Sequence, residues 1–250
     1  MERPATITRV RRELRRGYNV ALKLRAGLPL RPESISPETP NDLFQALLSI
    51  YVFFSEYTQD RRVLDLGCGC GHGSRLLLER GASEVVGVDV DRRAVAYANR
   101  RYRRPGASFE VADAENLPPD LGPFDVVVSS NLFEHLREPQ RGLDGVLALL
   151  RPNGLFALAV PPIQDEASLA ENEAIRYHRS NLRVEQWLAL LTDRFVDVEQ
   201  FAHGLNDGLE MDLADPFPST LGPDDFWFEG VPSASASHST LTALFVARAP

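Results

Sequence analysis

Cysteine is nearly absent from this chain of 250 residues: the two present, Cys68 and Cys70, stand two apart in a glycine-rich segment. That spacing is too tight for an easy disulfide, and no second ligand pair exists to complete a zinc site. They read as small loop residues. Lysine is scarcer still, Lys23 being the only one among 27 basic side chains, so arginine carries the positive charge. Long apolar runs are missing too: no stretch reaches the roughly 18 consecutive apolar residues that cross a bilayer. The N-terminus has arginines but no apolar core followed by a small-residue cleavage site, so no membrane span is expected and the cytoplasm is the expected location. Internal repeats are also lacking, and the only short biased stretch, VPSASASHST (231–240), reads as a surface loop.

What is present suits one large domain with a well-developed core, 44% of residues being apolar and 25% charged. The net charge of −8 is unevenly spread: residues 1–26 carry eight basic and two acidic side chains, which leaves −14 for the remainder. So acidic a body is a poor surface for nucleic acid, and the Arg9 to Arg16 cluster reads as a solvated helix face or a contact to an acidic partner.

The chain divides near residue 61. Residues 1–60 read as a helical extension: an arginine-rich segment, a Pro/Ser linker (RPESISPETP), and NDLFQALLSIYVFFSEY, an apolar helix with an Asn/Asp start signal that is placed to act as a lid. Across residues 61–250, β-branched runs alternate with helical patterns, as in a parallel sheet covered on both faces. The expected strands are 63–66, 84–89, 107–112, 124–130, 154–160, 195–201 and 242–249. Asp91 is the expected cap of one intervening helix, while Gly81 and Gly154 follow helices where a left-handed residue is wanted. The fold class is therefore α/β, a doubly wound Rossmann-like sheet, which binds ligands at the carboxyl ends of its strands. A long connection at about 203–239 reads as a substrate-side insertion. Its Phe217, Phe226, Trp227 and Phe228 either line a pocket or anchor the loop.

The segment VLDLGCGCGHG (63–73) is a strand running into a glycine loop in which Gly67, Gly69, Gly71 and Gly73 allow sharp turns and close approach of a ligand. A dinucleotide fingerprint would need a glycine where His72 stands. Asp65, two residues before the first glycine, would repel a pyrophosphate and attract a sulfonium or ammonium group. Asp89 closes the second strand where a carboxylate can accept from both ribose hydroxyls. Asp113 follows the third strand, within reach of an adenine amine, and Asn131 follows the fourth. Together these residues make one crevice.

With those residues in place, VLDLGCGCGHGS, VVGVDVD, FEVADAENLP and FDVVVSSNLFEHL resemble the four successive motifs of class I S-adenosylmethionine-dependent methyltransferases, and LRPNGLFALAVPP resembles the following helix, turn and fifth strand. The resemblance covers about residues 61–161. It implies a seven-stranded sheet of order 3-2-1-4-5-7-6 with strand 7 antiparallel, S-adenosyl-L-methionine as cofactor and S-adenosyl-L-homocysteine as product. It implies that Asp65 and Gly67, with Cys68, Gly69 and Gly71 of the same loop, lie by the methionine part, Asp89 with Val90 by the ribose, Asp113 with Ala114 by the adenine, and Asn131 near the methionine end. The GHGS loop and the FEHL segment look most like small-molecule O-methyltransferases, several of which act on sugars. A small-molecule acceptor is the implied partner, and homo-oligomerisation is left open.

Methyl transfer from a sulfonium is an in-line displacement in which alignment supplies much of the rate. An alcohol acceptor also needs something to take its proton, and histidine suits that task. His135, beyond the fourth strand, and His178, in the fifth crossover, are the two candidate catalytic bases. His203 is a further candidate to reach the pocket, whereas His72 reads as a loop residue and His238 as a surface one. Glu134 and His135 with a nearby aspartate could hold magnesium, but nothing fixes an octahedral oxygen ligand set, and no metal is assigned.

Overall fold

A computed structural model describes residue 38 and residues 41–211, 219–231 and 240–250. The arginine cluster, most of the Pro/Ser linker, Phe217 and His238 lie outside the described residues. Eight strands form one sheet: β1 (Arg62–Leu66), β2 (Glu84–Asp89), β3 (Ala107–Val111), β4 (Phe124–Ser130), β5 (Leu150–Val160), β6 (Val196–Leu205), β7 (Phe226–Gly230) and β8 (Thr242–Arg248). The helices are α1 (Asp42–Ser55), α2 (His72–Glu79), α3 (Arg92–Tyr102), α4 (Pro139–Leu149), α5 (Glu166–Glu173) and α6 (Val184–Thr192). Single 3₁₀ turns lie at Phe133–His135 and Pro223–Asp225.

The strand order is β3-β2-β1-β4-β5-β8-β6-β7, with β1 to β5 parallel and the C-terminal strand inserted antiparallel between β5 and β6. This is the expected Rossmann-like arrangement with one addition. The seven-strand expectation missed β7, which lies inside the stretch read as an insertion and pairs antiparallel with β6 from Phe201↔Gly230 to Leu205↔Phe226. The reason is packing. In FWFEG the alternate residues Phe226 and Phe228 turn to one face, where both rings pack on His203 and Phe228 stacks on Phe53 of α1 at 4.7 Å.

Two local readings also change. The left-handed residue in the turn before the body of β5 is Asn153, with φ 62°, whereas Gly154 is required by crowding: a Cβ there would meet the Arg151 carbonyl oxygen at 2.9 Å. Helix α5 was not anticipated. It is nucleated by a capping box in which the Asp165 side chain accepts from Ser168 N at 2.8 Å and Ser168 Oγ accepts from Asp165 N. The expected caps at Asp91 and Gly81 are present, Asp91 Oδ1 accepting from Arg93 N at 2.8 Å and Gly81 having φ 106°.

Strand alternation divides the core between the sheet's two faces. On one, Leu64, Leu66, Phe156, Leu158 and Phe245 pack with Leu143 of α4 and Trp187 of α6; on the other, Val63, Val85, Val128, Ala157 and Leu244 pack with Ile50 and Phe54 of α1 and Leu77 of α2. Asp65 follows Val63 by two residues and so points into the α1–α2 side. Among the described residues no helix is long and apolar enough to cross a membrane.

Trp187 is almost wholly enclosed and meets Phe133 edge-on at 6.1 Å. Trp187→Ala is expected to cost about 3–5 kcal/mol, by lost transfer energy and the cavity left behind. Urea unfolding measures this, and a loss under about 1 kcal/mol would contradict the packing described.

Candidate active site

The glycine loop leaves β1 through three left-handed residues, Gly67, Gly69 and Gly71, with φ of 81°, 53° and 81°. Side chains with a Cβ rarely adopt that backbone, so the sharp turn is confined to these sequence positions. The backbone N–H groups of Gly67 and Cys68 both donate to the Val88 carbonyl, at 2.8 and 3.0 Å, which ties the loop to the end of β2. Cys68 and Cys70 are buried free thiols packed against α3 and β3; burial pushes the Cys68 thiol well up, with Asp65 adding to the rise. Their side chains pack within the core beneath the loop.

Asp65 is fully buried, and each carboxylate oxygen is taken: Oδ1 accepts from the Tyr51 hydroxyl at 2.9 Å and Oδ2 from the Ser74 hydroxyl at 2.5 Å. Burial lifts its pKa to about 6, against the two hydroxyl bonds that hold it down and with the nearby Asp89 charge lifting it further. Tyr51 was not foreseen as part of the site. Its ring lies where a side chain at residue 73 would be, since a Cβ on Gly73 would come within 2.2 Å of it. A helix that reads only as apolar thus delivers a hydroxyl to the base of the loop.

At the end of β2, Asp89 Oδ2 accepts from Gly69 N at 2.9 Å and Oδ1 from Asp91 N at 2.8 Å, so this carboxylate holds the loop's shape. Val90 beside it is an exposed apolar residue. Beyond β3, Asp113 is exposed and accepts from Glu115 N and the Asn116 amide, next to buried Ala114. Beyond β4, Asn131 adopts φ 51° and donates its N–H to the Ala159 carbonyl at 3.0 Å. The neighbouring Leu132 packs onto the glycine loop, its Cβ 3.0 Å from where a Cβ on Gly67 would be. The fold therefore gathers Asp65, Gly67, Cys68, Gly69, Gly71, Asp89, Val90, Asp113, Ala114 and Asn131 along the ends of four adjacent strands.

The next turn brings together Glu134, His135 and His178, whose ligand atoms all lie within 4.8 Å of one another. The histidine rings meet edge-on at 5.0 Å. His135 Nδ1 is 3.1 Å from the Tyr177 carbonyl, and His178 Nδ1 is 2.6 Å from Asn172 Oδ1. Burial, and then the neighbouring His135, bring the His178 pKa down to about 4. Glu134 is 1% exposed, and neither carboxylate oxygen makes a well-formed hydrogen bond; its own backbone amide and the Asn131 side chain approach without reaching that geometry. Burial pushes its pKa up to about 8, opposed by its own backbone amide and the Asn131 side chain. Sequence spacing places His135 beside Glu134, but their meeting with His178, 43 positions on, is a product of the fold.

The remaining histidines and aromatics fall elsewhere. His203 does not reach the crevice: it is fully buried, stacked on Phe228 at 4.8 Å, with Nε2 3.0 Å from Ser49 Oγ. Trp227 donates from Nε1 to the Leu205 carbonyl at 2.9 Å, so the described aromatics of the supposed insertion anchor the β6–β7 hairpin rather than line a pocket. His72 begins α2 with its Nδ1 enclosed and its ring 5.0 Å from Phe44.

A parallel sheet of this order, with its glycine loop and carboxylates at the strand ends, is the class I Rossmann-like methyltransferase fold. Residues 63–154 match the family described as a methyltransferase domain. A probable S-adenosylmethionine-dependent methyltransferase of Mycolicibacterium smegmatis is 31% identical over 140 residues, 55% of this chain and 53% of that protein. The trans-aconitate 2-methyltransferase of Rhizobium leguminosarum is 35% identical over 116 residues, 46% of this chain and 44% of that protein. The chain thus spans about half the length of the curated relatives it matches. Among solved structures, the N-methyltransferase NodS from Bradyrhizobium japonicum in complex with S-adenosylhomocysteine superposes with a TM-score of 0.60 at 15% identity, covering 90% of this chain and 95% of that one. A chain of the Haloferax volcanii complex of the Trm112 methyltransferase activator with a methyltransferase gives 0.64 at 21% identity, covering 84% and 91%. At these identities the superpositions establish the fold. Residues 63–154 are thus similar to a methyltransferase domain, and S-adenosylmethionine is the cofactor that the domain match and the relatives support.

The buried histidine sets a pH dependence. Burial lowers the His203 pKa from 6.5 to about 4. As pH falls through 6.5 the unfolded chain takes up a proton that the folded chain refuses until about pH 4. The contribution is therefore complete above 6.5 and lost across that window. His203→Gln is expected to flatten the acid-side loss of stability by on the order of 3 kcal/mol, at 1.36 kcal/mol per pKa unit. Urea unfolding at pH 7 and pH 4.5 checks it: an unchanged difference between the two would refute the assignment.

Proposed function

We propose that the protein is an S-adenosylmethionine-dependent methyltransferase of small molecules that methylates a hydroxyl, on a sugar or another alcohol. The observation that carries this reading is that Leu132, which packs on Gly67 of the glycine loop, is followed directly by the turn that carries Glu134 and His135 to His178. A donor site and a proton-handling site thus share one edge of the sheet. Relatives named for trans-aconitate and for phthiotriol dimycocerosates support a non-nucleic-acid acceptor, as does the charge of −14 outside residues 1–26.

In this reading Gly67, Cys68, Gly69 and Gly71 pass their backbone along the methionine part of the cofactor, with Asn131 at its end. Asp65, its oxygens engaged by Tyr51 and Ser74, acts on the sulfonium through its field rather than by contact. Asp89 accepts from the ribose hydroxyls beside Val90, and Asp113 accepts from the adenine amine beside Ala114. Helix α1 closes over the start of α2 as a lid. The acceptor oxygen attacks the methyl carbon in line with the C–S bond; the C–O bond forms, the sulfonium leaves as the neutral thioether S-adenosylhomocysteine, and the hydroxyl proton passes to the His135–His178 pair. His178, with its pKa lowered to about 4, holds a proton poorly at neutral pH.

Asp89→Ala is expected to weaken S-adenosylhomocysteine binding about tenfold or more, the value of hydrogen bonds to a charged acceptor. Calorimetry tests this, and equal affinity in parent and variant would refute the ribose assignment. Tight NAD binding with no response to S-adenosylhomocysteine would overturn the cofactor. For the acceptor, S-adenosylhomocysteine release is measured against sugar, phenol, RNA and DNA panels. Turnover is expected with a small hydroxyl compound. Turnover with nucleic acid alone would replace this reading by a nucleic-acid methyltransferase, and cofactor binding without turnover on any panel would favour a non-catalytic binding protein.

A further inference from the structure

We infer that Glu134, His135 and His178 form a binding site for one divalent transition-metal ion, of the kind that accepts mixed nitrogen and oxygen ligands. The first support is the state of Glu134. A buried carboxylate ordinarily finds a hydrogen bond or a counter-charge, because leaving it without one costs several kcal/mol. Glu134 is 1% exposed and neither oxygen makes a well-formed hydrogen bond, the approach of the Asn131 side chain and its own backbone amide falling short of one, although the chain holds it firmly in place. Its backbone carbonyl accepts from the N–H groups of both Arg179 and Ser180, at 2.7 and 3.0 Å, which fastens the His178 loop against it.

The second support is the pair of histidine tautomers. A backbone carbonyl can only accept, so the contact from Tyr177 O makes His135 Nδ1 the protonated nitrogen. Asn172 Nδ2 donates to Asn181 Oδ1 at 2.6 Å, which turns Asn172 Oδ1 toward His178 and makes its Nδ1 the donor as well. Each ring therefore presents Nε2 with a free lone pair, with Nδ1–H anchored to an oxygen, the arrangement that orients metal-bound imidazoles. Ligand atoms bound at about 2.0–2.2 Å from one ion lie up to roughly 4 Å apart. One ligand atom from each of the three residues already lies within 4.8 Å of the others.

The donor set selects the ion. Two imidazoles and one carboxylate suit zinc, iron, cobalt, nickel or manganese rather than magnesium or calcium, which take oxygen. The sequence alone suggested magnesium on Glu134, His135 and a nearby aspartate and assigned no metal; His178 in place of the aspartate changes the donor set. Three protein ligands leave coordination positions open. Here the inference rests on the methyltransferase reading: an acceptor oxygen filling one such position would lose its proton to water, the two histidines then serving as ligands rather than as bases.

The experiment titrates the full chain, stripped with EDTA and desalted, with Mn²⁺, Zn²⁺ and Co²⁺ by calorimetry, and follows Co²⁺ by visible absorption. One ion per chain is expected. Glu134→Gln and His178→Ala should each weaken binding more than about tenfold, and Asn172→Ala, which frees the His178 ring, by about 10- to 100-fold. Unfolding midpoints and S-adenosylhomocysteine affinity show that each variant is folded. Failure of the parent to bind any of the three ions, or binding that the three variants leave unchanged, would overturn the site. S-adenosylhomocysteine binding without ion binding removes the metal and leaves the methyltransferase standing; ion binding without it does the reverse.

Discussion

The buried carboxylate of Asp65 joins three parts of the molecule that are separate in the chain. Because side chains alternate along β1, Asp65 must point to the face that α1 and α2 cover, where hydrogen bonds from those two helices offset the cost of burying it. Tyr51 comes from α1 and Ser74 from α2, one to each oxygen. The N-terminal helix is thereby held against the foot of the glycine loop by a polar interaction as well as by its apolar face. The same contact requires Gly73, whose missing side chain leaves room for the Tyr51 ring. Loop shape, helix position and the charge beneath the crevice thus follow from one group.

The crevice is electrostatically uneven in consequence. Asp65 and Asp89 lie close enough for each charge to be felt by the same neighbours, as Tyr51 and Cys68 both are. That end favours a cation. Beyond Leu132 the chemistry changes to two imidazoles meeting edge-on and a buried carboxylate.

At the other edge of the sheet, the β6–β7 hairpin shows how aromatics settle architecture. Phe53, Phe228 and His203 form a stack that clamps α1 to the hairpin, with the Ser49 hydroxyl meeting the buried imidazole. The contact extends the sheet by a strand and gives α1 a second anchorage besides Asp65.

The central sheet was legible because its signals are local. Alternating β-branched runs, an Asp cap at residue 91 and a glycine loop each act over a few residues, so the strands themselves and the strand-end positions of Asp89, Asp113 and Asn131 follow from periodicity and motif spacing, while the strand order came from the family resemblance that those motifs carry. Strand β7 was not, because FWFEG reads as aromatic loop until β6 is beside it to pair with. Nor could Tyr51 be read as a partner of Asp65, since a tyrosine within an apolar helix pattern looks like core until the register of α1 on β1 decides where its hydroxyl goes. The same holds for Glu134, His135 and His178. Their residue types were visible in the sequence, but their convergence, the burial of the carboxylate and the carbonyls that set both histidine tautomers depend on contacts across some 40 positions. Local backbone preference and hydrophobic period belong to the sequence itself; proximity, and with it charge state and ligand geometry, exists only once the chain has closed on itself.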